Sequence, residues 1–350
     1  MIELIQMNGL GTVRRPNFTV INTPLMLSLS IKDDFNLLRN HLTTEQRKDI
    51  EYRVYRSILK WESTPTWQKS IYHSSGTEGG SSKFDTIRSK RITPPKKVQE
   101  CVYLNNIVEK IFPGSTVYSY GIQDMLLSEN FEGTKLFEYR KNSSVEKIAP
   151  LDIIQRQVQT ANALSLIPRP EGIDYEPHEY RKKILEILDI ISQKYDVSGR
   201  KKEVFMQLAG HLEELSSFPD WDRHLGNAKY DSEYRIKQMP DWNKASFLVA
   251  PCYDAVQIAY QSFNQNNIHI LKSQTMKELK DIKLGNMPNN PDLNIVWEYD
   301  AAYYTFRQLM YAIKRDNPFL IKKFEKAITS TEFNSWPQGK ELQEIVKQYR

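Results

Sequence analysis

The feature that most constrains this chain is the helical periodicity that fills it from Glu179 almost to its end. Ile184, Leu185, Ile187, Leu188, Ile190 and Ile191 make a wide apolar face on a helix predicted over Glu179 to Tyr195. Asp196 to Gly199 breaks it. Val204, Phe205, Leu208, Leu212 and Leu215 then form one stripe on the next helix, Lys201 to Leu215. Helices joined by so short a connection pack antiparallel. A further helix is expected from a cap at Asp241 to Phe263. Pro251 should kink it or start it afresh, because proline lacks a backbone donor and clashes with the preceding turn. A short helix over Lys272 to Leu284 leads into the turn Asn286 to Pro291. Ile295 to Arg315 is the most aromatic helix, carrying Trp297, Tyr299, Tyr303, Tyr304, Phe306 and Tyr311. Phe319 to Thr329 and Lys340 to Tyr349 complete a half that must build a helical core.

The first half mixes periods. Ile2 to Ile31 reads as strands: Asn8-Gly9 is a hairpin signal, and Leu25, Leu27, Leu29 and Ile31 alternate with polar or smaller neighbours. Ile50, Val54, Ile58 and Trp61 give a helix entered at Thr43 or Thr44. Val98 to Phe112 is a second helix, Thr116 to Tyr120 and Leu136 to Tyr139 are strands, and Pro150 to Leu166 is a weaker helix. The expected fold is therefore α+β, with a small N-terminal sheet with helices and a predominantly α-helical C-terminal half. The expected regions are 1–72, 73–97, 98–170 and 171–350. No window approaches the run of about 18 apolar residues that a membrane helix needs, so no membrane is expected as a partner. The two cysteines, Cys101 and Cys252, are too few for a cysteine-rich zinc site or a disulfide scaffold. They point to a cytoplasmic or nuclear protein, or to one within a particle assembled in such a compartment.

The connector 73–97 is the least balanced part of the chain. His73 to Ser82 is Gly- and Ser-rich with no apolar side chain. Lys83, Arg88, Lys90, Arg91, Lys96 and Lys97 then face a single acid, Asp85, for a local charge of +5 that equals the net charge of the whole protein. Long segments without periodicity are functional or disordered, and clustered Lys and Arg neutralise phosphates. The expectation is a flexible basic loop on a non-enzymatic protein that binds nucleic acid or assembles with it, as in a nucleoprotein or a viral or phage particle. Its partners would be nucleic acid and other proteins, or further copies of itself.

The competing class is a metal-dependent nuclease or nucleotidyltransferase. The run from the Val98 helix through Phe112-Pro113 and a strand to Tyr120-Gly121 resembles the opening of nucleotidyltransferase folds, where a Gly-Ser cradles the nucleotide phosphates. Ile122 stands here in place of that serine. The resemblance implies alternating aspartates on the next strand, where this chain has only Glu132 and Glu138, differently spaced. The other acids are in His211, Glu213, Glu214, Asp220, Asp222 and His224, a mixture of imidazole and carboxylate that suits a transition metal but also a helix end followed by an acid-capped turn. His73 and His269 have no nucleophile or orienting acid at a recognisable offset, and His41 and His178 are expected to be solvated at helix edges. No cofactor, metal set or catalytic residue follows from the sequence alone.

Overall fold

A computed structural model of the protein describes residues 81–347, apart from 85–86, 123–124, 140–145, 240–245, 281–291 and several single positions. The strands expected over Ile2 to Ile31 and the helix over Thr43 to Trp61 lie outside the described residues, as do His41 and His73. The fold is α+β, with small sheets towards the N-terminus and a predominantly helical C-terminal half. The chain divides into two compact units. One comprises residues 1–134 with 227–243, the other 135–226 with 244–350. Neither division falls in the basic connector or near residue 170, where the sequence suggested boundaries.

The first unit is built on a four-stranded antiparallel sheet. Strands β1 (Ser81–Phe84), β2 (Ile87–Arg91), β3 (Ser119–Ile122) and β4 (Met125–Glu129) lie in the order β1-β2-β4-β3. Helix α1 (Pro95–Ile111) connects β2 to β3 and packs against β3 and β4. Pro95 opens it at a position where the missing N–H costs nothing. Val98, Cys101, Val102, Leu104 and Val108 form its buried side. Asn105 pins the helix to β3 by donating its Nδ2–H to the Val117 carbonyl at 2.9 Å and to Ser119 Oγ at 3.0 Å. At the far end, buried Glu109 accepts from the Gly114 and Thr116 amides and the Thr116 hydroxyl, closing the turn out of the helix.

This sheet corrects the expectation of a flexible basic loop. Lys83 pairs with Arg88 across β1 and β2, Lys90 stands opposite Ser81 and the buried Leu126, and Arg91 stands opposite Met125. Lys96 and Lys97 occupy the first turn of α1, where their ammonium groups lie 3.8 and 3.0 Å from the buried carboxylate of Glu100. The stretch is strand, strand and helix start, and its last two cations turn onto the protein's own acid. The physical reason is that β2 is interior to its sheet. Ladder hydrogen bonds on both edges hold a strand whose side chains carry little apolar signal.

β5 (Thr134–Lys135) lies where the chain passes into the second unit. There β6 (Phe137–Tyr139) and β7 (Glu146–Ile148) pair antiparallel. Helix α2 (Leu151–Ser165) follows, then α3 (Tyr180–Ile191) and α4 (Arg200–Leu215), close to their predicted bounds. A short three-stranded sheet sits among the helices. Its central strand β12 (Phe247–Val249) pairs in parallel with β8 (Glu176–Pro177) and antiparallel with β9 (Phe218–Pro219). The cap expected at Asp241 lies outside the described residues; beyond it the expected long helix is replaced by strand β12, and after Pro251 a fresh helix begins, α5 (Tyr253–Gln261). The remainder is α6 (Gln265–Glu278), α7 (Leu293–Lys314), α8 (Pro318–Ser330) and α9 (Gly339–Lys347). Asn264, Asp292 and Asn317 cap α6, α7 and α8 with their side-chain oxygens. The aromatic helix α7 is the axis of this unit. It packs against α3, α5 and α8 and is buried on almost every side between Val296 and Met310, as expected for a helix apolar all round.

In the first unit the chain returns as a hairpin of β10 (Ala228–Tyr230) and β11 (Ile236–Gln238). Gln238 joins it to the turn after α1, donating its amide to the Ser115 carbonyl and accepting from the Val117 amide. Among the described residues no helix is long and apolar enough to cross a membrane.

Candidate active site

The sequence offered six residues from His211 to His224 as one cluster, and the structure separates them. His211, on α4, stacks on Tyr299 with ring centroids 4.9 Å apart, and Glu213 meets Arg181. These are helix-surface contacts. Glu138 of the competing set lies on β6 opposite Lys147, and Glu132 lies outside the described residues. His269 is 3.5 Å from Glu332, and His178 Nε2 is 2.8 Å from the Tyr303 hydroxyl. Among the described residues no three His, Cys, Asp or Glu side chains form a metal cage.

Asp220 and Asp222 are placed differently. They follow β9, whose pairing with β12 buries the strand end. The Asp220 amide donates to the Phe247 carbonyl at 2.8 Å, and the Asp222 amide donates to Asp220 Oδ1 at 2.7 Å. Asp222 has φ +48°, in the left-handed region where a non-glycine residue is strained. Asp is among the few residues that tolerate it, because its short side chain can bond locally. Both aspartates are buried.

A third acid joins them that the sequence reading missed. Asp254 stands in the first turn of α5, with Oδ2 accepting from the Trp221 amide at 3.2 Å. Its Oδ1 is buried and has no hydrogen-bond partner among the described residues. Burial pushes the Asp254 carboxyl well above the usual range, and the charges of Asp220 and Asp222 push it further. The Trp221 amide and Arg223 oppose the shift. Three aspartates are thus buried near enough for the charges of Asp220 and Asp222 to disfavour ionisation of Asp254.

The loop holding them is braced on two sides. Arg223 is 1% exposed and donates through Nη2 to Gln157 Oε1 of α2 at 3.1 Å. Its guanidinium is drawn down to about 10 by burial, with Asp254 resisting. The Leu225 amide donates to Gln261 Oε1 at the end of α5, 2.7 Å away. A 3-10 turn over Leu225–Asn227 ends the loop. Read forward, the loop is Asp222-Arg-His-Leu-Gly-Asn227, an aspartate followed after four residues by an asparagine. In protein kinases that spacing carries the catalytic base and a magnesium-binding amide. The sequence held this signal, but the neighbouring histidine gave the loop the look of a transition-metal site.

No family model matches this chain, and no curated protein matches it. Solved structures do. A macrolide 2'-phosphotransferase type I is 13% identical, with 75% of this chain and 98% of that chain covered, at a TM-score of 0.49. A choline/ethanolamine kinase family protein from Mesorhizobium loti is 12% identical, covering 84% and 98%, at 0.48. A choline kinase from Streptococcus pneumoniae is 12% identical, covering 79% and 98%, at 0.44. The expectation of a non-enzymatic nucleic-acid-binding, particle-assembly or viral protein finds no counterpart among these structures, which are described as a phosphotransferase and two kinases.

Proposed function

We propose that the protein is a magnesium-dependent phosphotransferase that moves the γ-phosphoryl group of a nucleoside triphosphate to a hydroxyl. The observation that carries this reading is the Asp222 to Asn227 loop with Asp254 folded beside it, and it stands on those residues alone. Asp222, buried and held at a strained backbone position, is the residue assigned to take the acceptor proton. The acceptor oxygen attacks the γ-phosphorus, the bond from phosphorus to the bridging oxygen breaks, the nucleoside diphosphate leaves, and the hydroxyl proton passes to Asp222. Such a reaction gains from positioning and from neutralising charge, because little covalent chemistry is left to the protein.

The donor set fits magnesium. This ion prefers one or two carboxylates with phosphate oxygens and water over an all-protein cage. Asp254, with a buried oxygen that has no partner among the described residues, would hold it. When bound, it neutralises charge on the transferring oxygens. The mutual repulsion of Asp220, Asp222 and Asp254 is what such a cation relieves.

The test is turnover of γ-labelled ATP or GTP by the purified chain with magnesium, scored as nucleoside diphosphate release and as label gained by the protein. Asp222→Asn should abolish both. Turnover unchanged in Asp222→Asn, or none with either nucleotide under any divalent cation, would overturn the proposal.

A further inference from the structure

We propose that His224 is a positioning residue that holds the Asp222 carboxylate through its Nε2–H, with its tautomer set by the backbone of Gly226. The inference rests on the phosphotransferase reading and deepens it. The Gly226 amide donates to His224 Nδ1 at 3.1 Å. A nitrogen that accepts a hydrogen bond carries no proton, so the neutral ring keeps its hydrogen on Nε2. That nitrogen lies 3.9 Å from Asp222 Oδ1. The distance is long for a hydrogen bond, as contacts of catalytic groups are before the reactants bind.

A second observation shows that the ring's place is built into the chain. A Cβ added at Gly226 would lie 3.0 Å from both Cε1 and Nδ1 of His224. Glycine here lets the ring lie close to the backbone, where a Cβ would crowd it. The loop reads Asp222-x-His224-x-Gly226, three residues at alternate positions, each bearing on the next. The Asp222 side chain is only 9% exposed, whereas that of His224 is 26% exposed. Arg223 points elsewhere, to Gln157 of α2, and does not compete for this role.

The two contacts of the ring can be separated. Asn at 224 places an acceptor near Nδ1 and removes the donor to Asp222, whereas Gln restores a donor near Nε2 and removes the acceptor. His224→Asn should lower kcat for magnesium ATP about 10- to 100-fold, the usual range when an orienting partner is lost. The KM for ATP should stay within about threefold, since the ring acts on the base and not on substrate binding. His224→Gln should recover most of kcat, and Gly226→Ala should resemble His224→Asn. Equal losses in Asn and Gln, or an unchanged kcat in Asn, would overturn the role. The tautomer is read independently by long-range proton–nitrogen NMR of the imidazole in the unmodified protein: Nε2–H is expected, and Nδ1–H would sink the inference even if phosphotransfer is confirmed. Conversely, Nε2–H in a protein that turns over no nucleotide would leave the contact standing and remove the phosphotransferase reading.

Discussion

Of the buried carboxylates in the helical unit, Glu298 and Asp254 are built in opposite ways. Glu298, on α7, is fully buried, and every approach to it ends in a donor. The amides of Asn334, Ser335 and Trp336 reach it at 2.7 to 3.2 Å, and Lys272 Nζ lies 3.4 Å away. Asp254 has one backbone donor, one oxygen with no partner among the described residues, and two further aspartates beside it. A buried charge surrounded by donors stabilises the fold that supplies them, while one left short of donors costs stability. The first holds the chain together. The second leaves an oxygen that the described fold does not use.

That contrast breaks most sharply in activity. Asp222→Asn and Asp254→Asn should each reduce phosphoryl transfer at least about 1,000-fold, roughly 4 kcal/mol of barrier, in the labelled-nucleotide assay. Asp254→Asn should at the same time leave urea stability unchanged or raise it by about 1 kcal/mol, because like charges are separated. A destabilised but active Asp254→Asn protein would reverse the assignment of the two sites. Glu298→Ala should do the opposite, with a loss of about 3 kcal/mol in urea denaturation as three amides and a lysine lose their acceptor.

In the first unit, Glu109 is the smaller counterpart of Glu298, serving one turn. Glu109→Ala should cost about 2 kcal/mol, measured in the same way. The smallest effect belongs to the surface. Glu186 lies between Lys314 and Lys183, whose hydrogen bonds lower its carboxyl from 4.5 to about 2. A depressed folded-state value stabilises the protein above the unfolded value and is lost as pH falls from about 4.5 towards 2. Because the side chains are partly exposed, Glu186→Gln should cost only about 0.5 kcal/mol at neutral pH. It should also flatten the acid limb of the stability curve in that window.

The helical half was legible because packing enforces what periodicity shows. The α4 stripe is buried throughout, and Ile184, Ile187, Leu188 and Ile191 of the α3 face are buried while Leu185 is exposed; the predicted ends lie within a few residues of those observed. The sheet of the first unit was not legible, because Ile87-Arg-Ser-Lys-Arg91 offers one apolar side chain in five and draws its order from neighbours on both edges. Asp254 was hidden for another reason. More than thirty residues separate it from Asp220, and only the pairing of β9 with β12 brings the start of α5 under the Asp222 loop. Periodicity around Pro251 suggested one long helix, within which Asp254 would have been a stray acid. The sequence marked Asp220 and Asp222, but only folding could bring Asp254 beside them.

The three amides gathered by Glu298 have a consequence for how the molecule breathes. Asn334 to Trp336 belong to no helix or strand, yet they cannot exchange their hydrogens with solvent unless that acid lets go. Deuterium uptake there should be as slow as in the middle of α7 and should accelerate along with it. A connecting segment with the exchange rate of the core would mark α7, α8 and the residues joining α8 to α9 as one cooperative block.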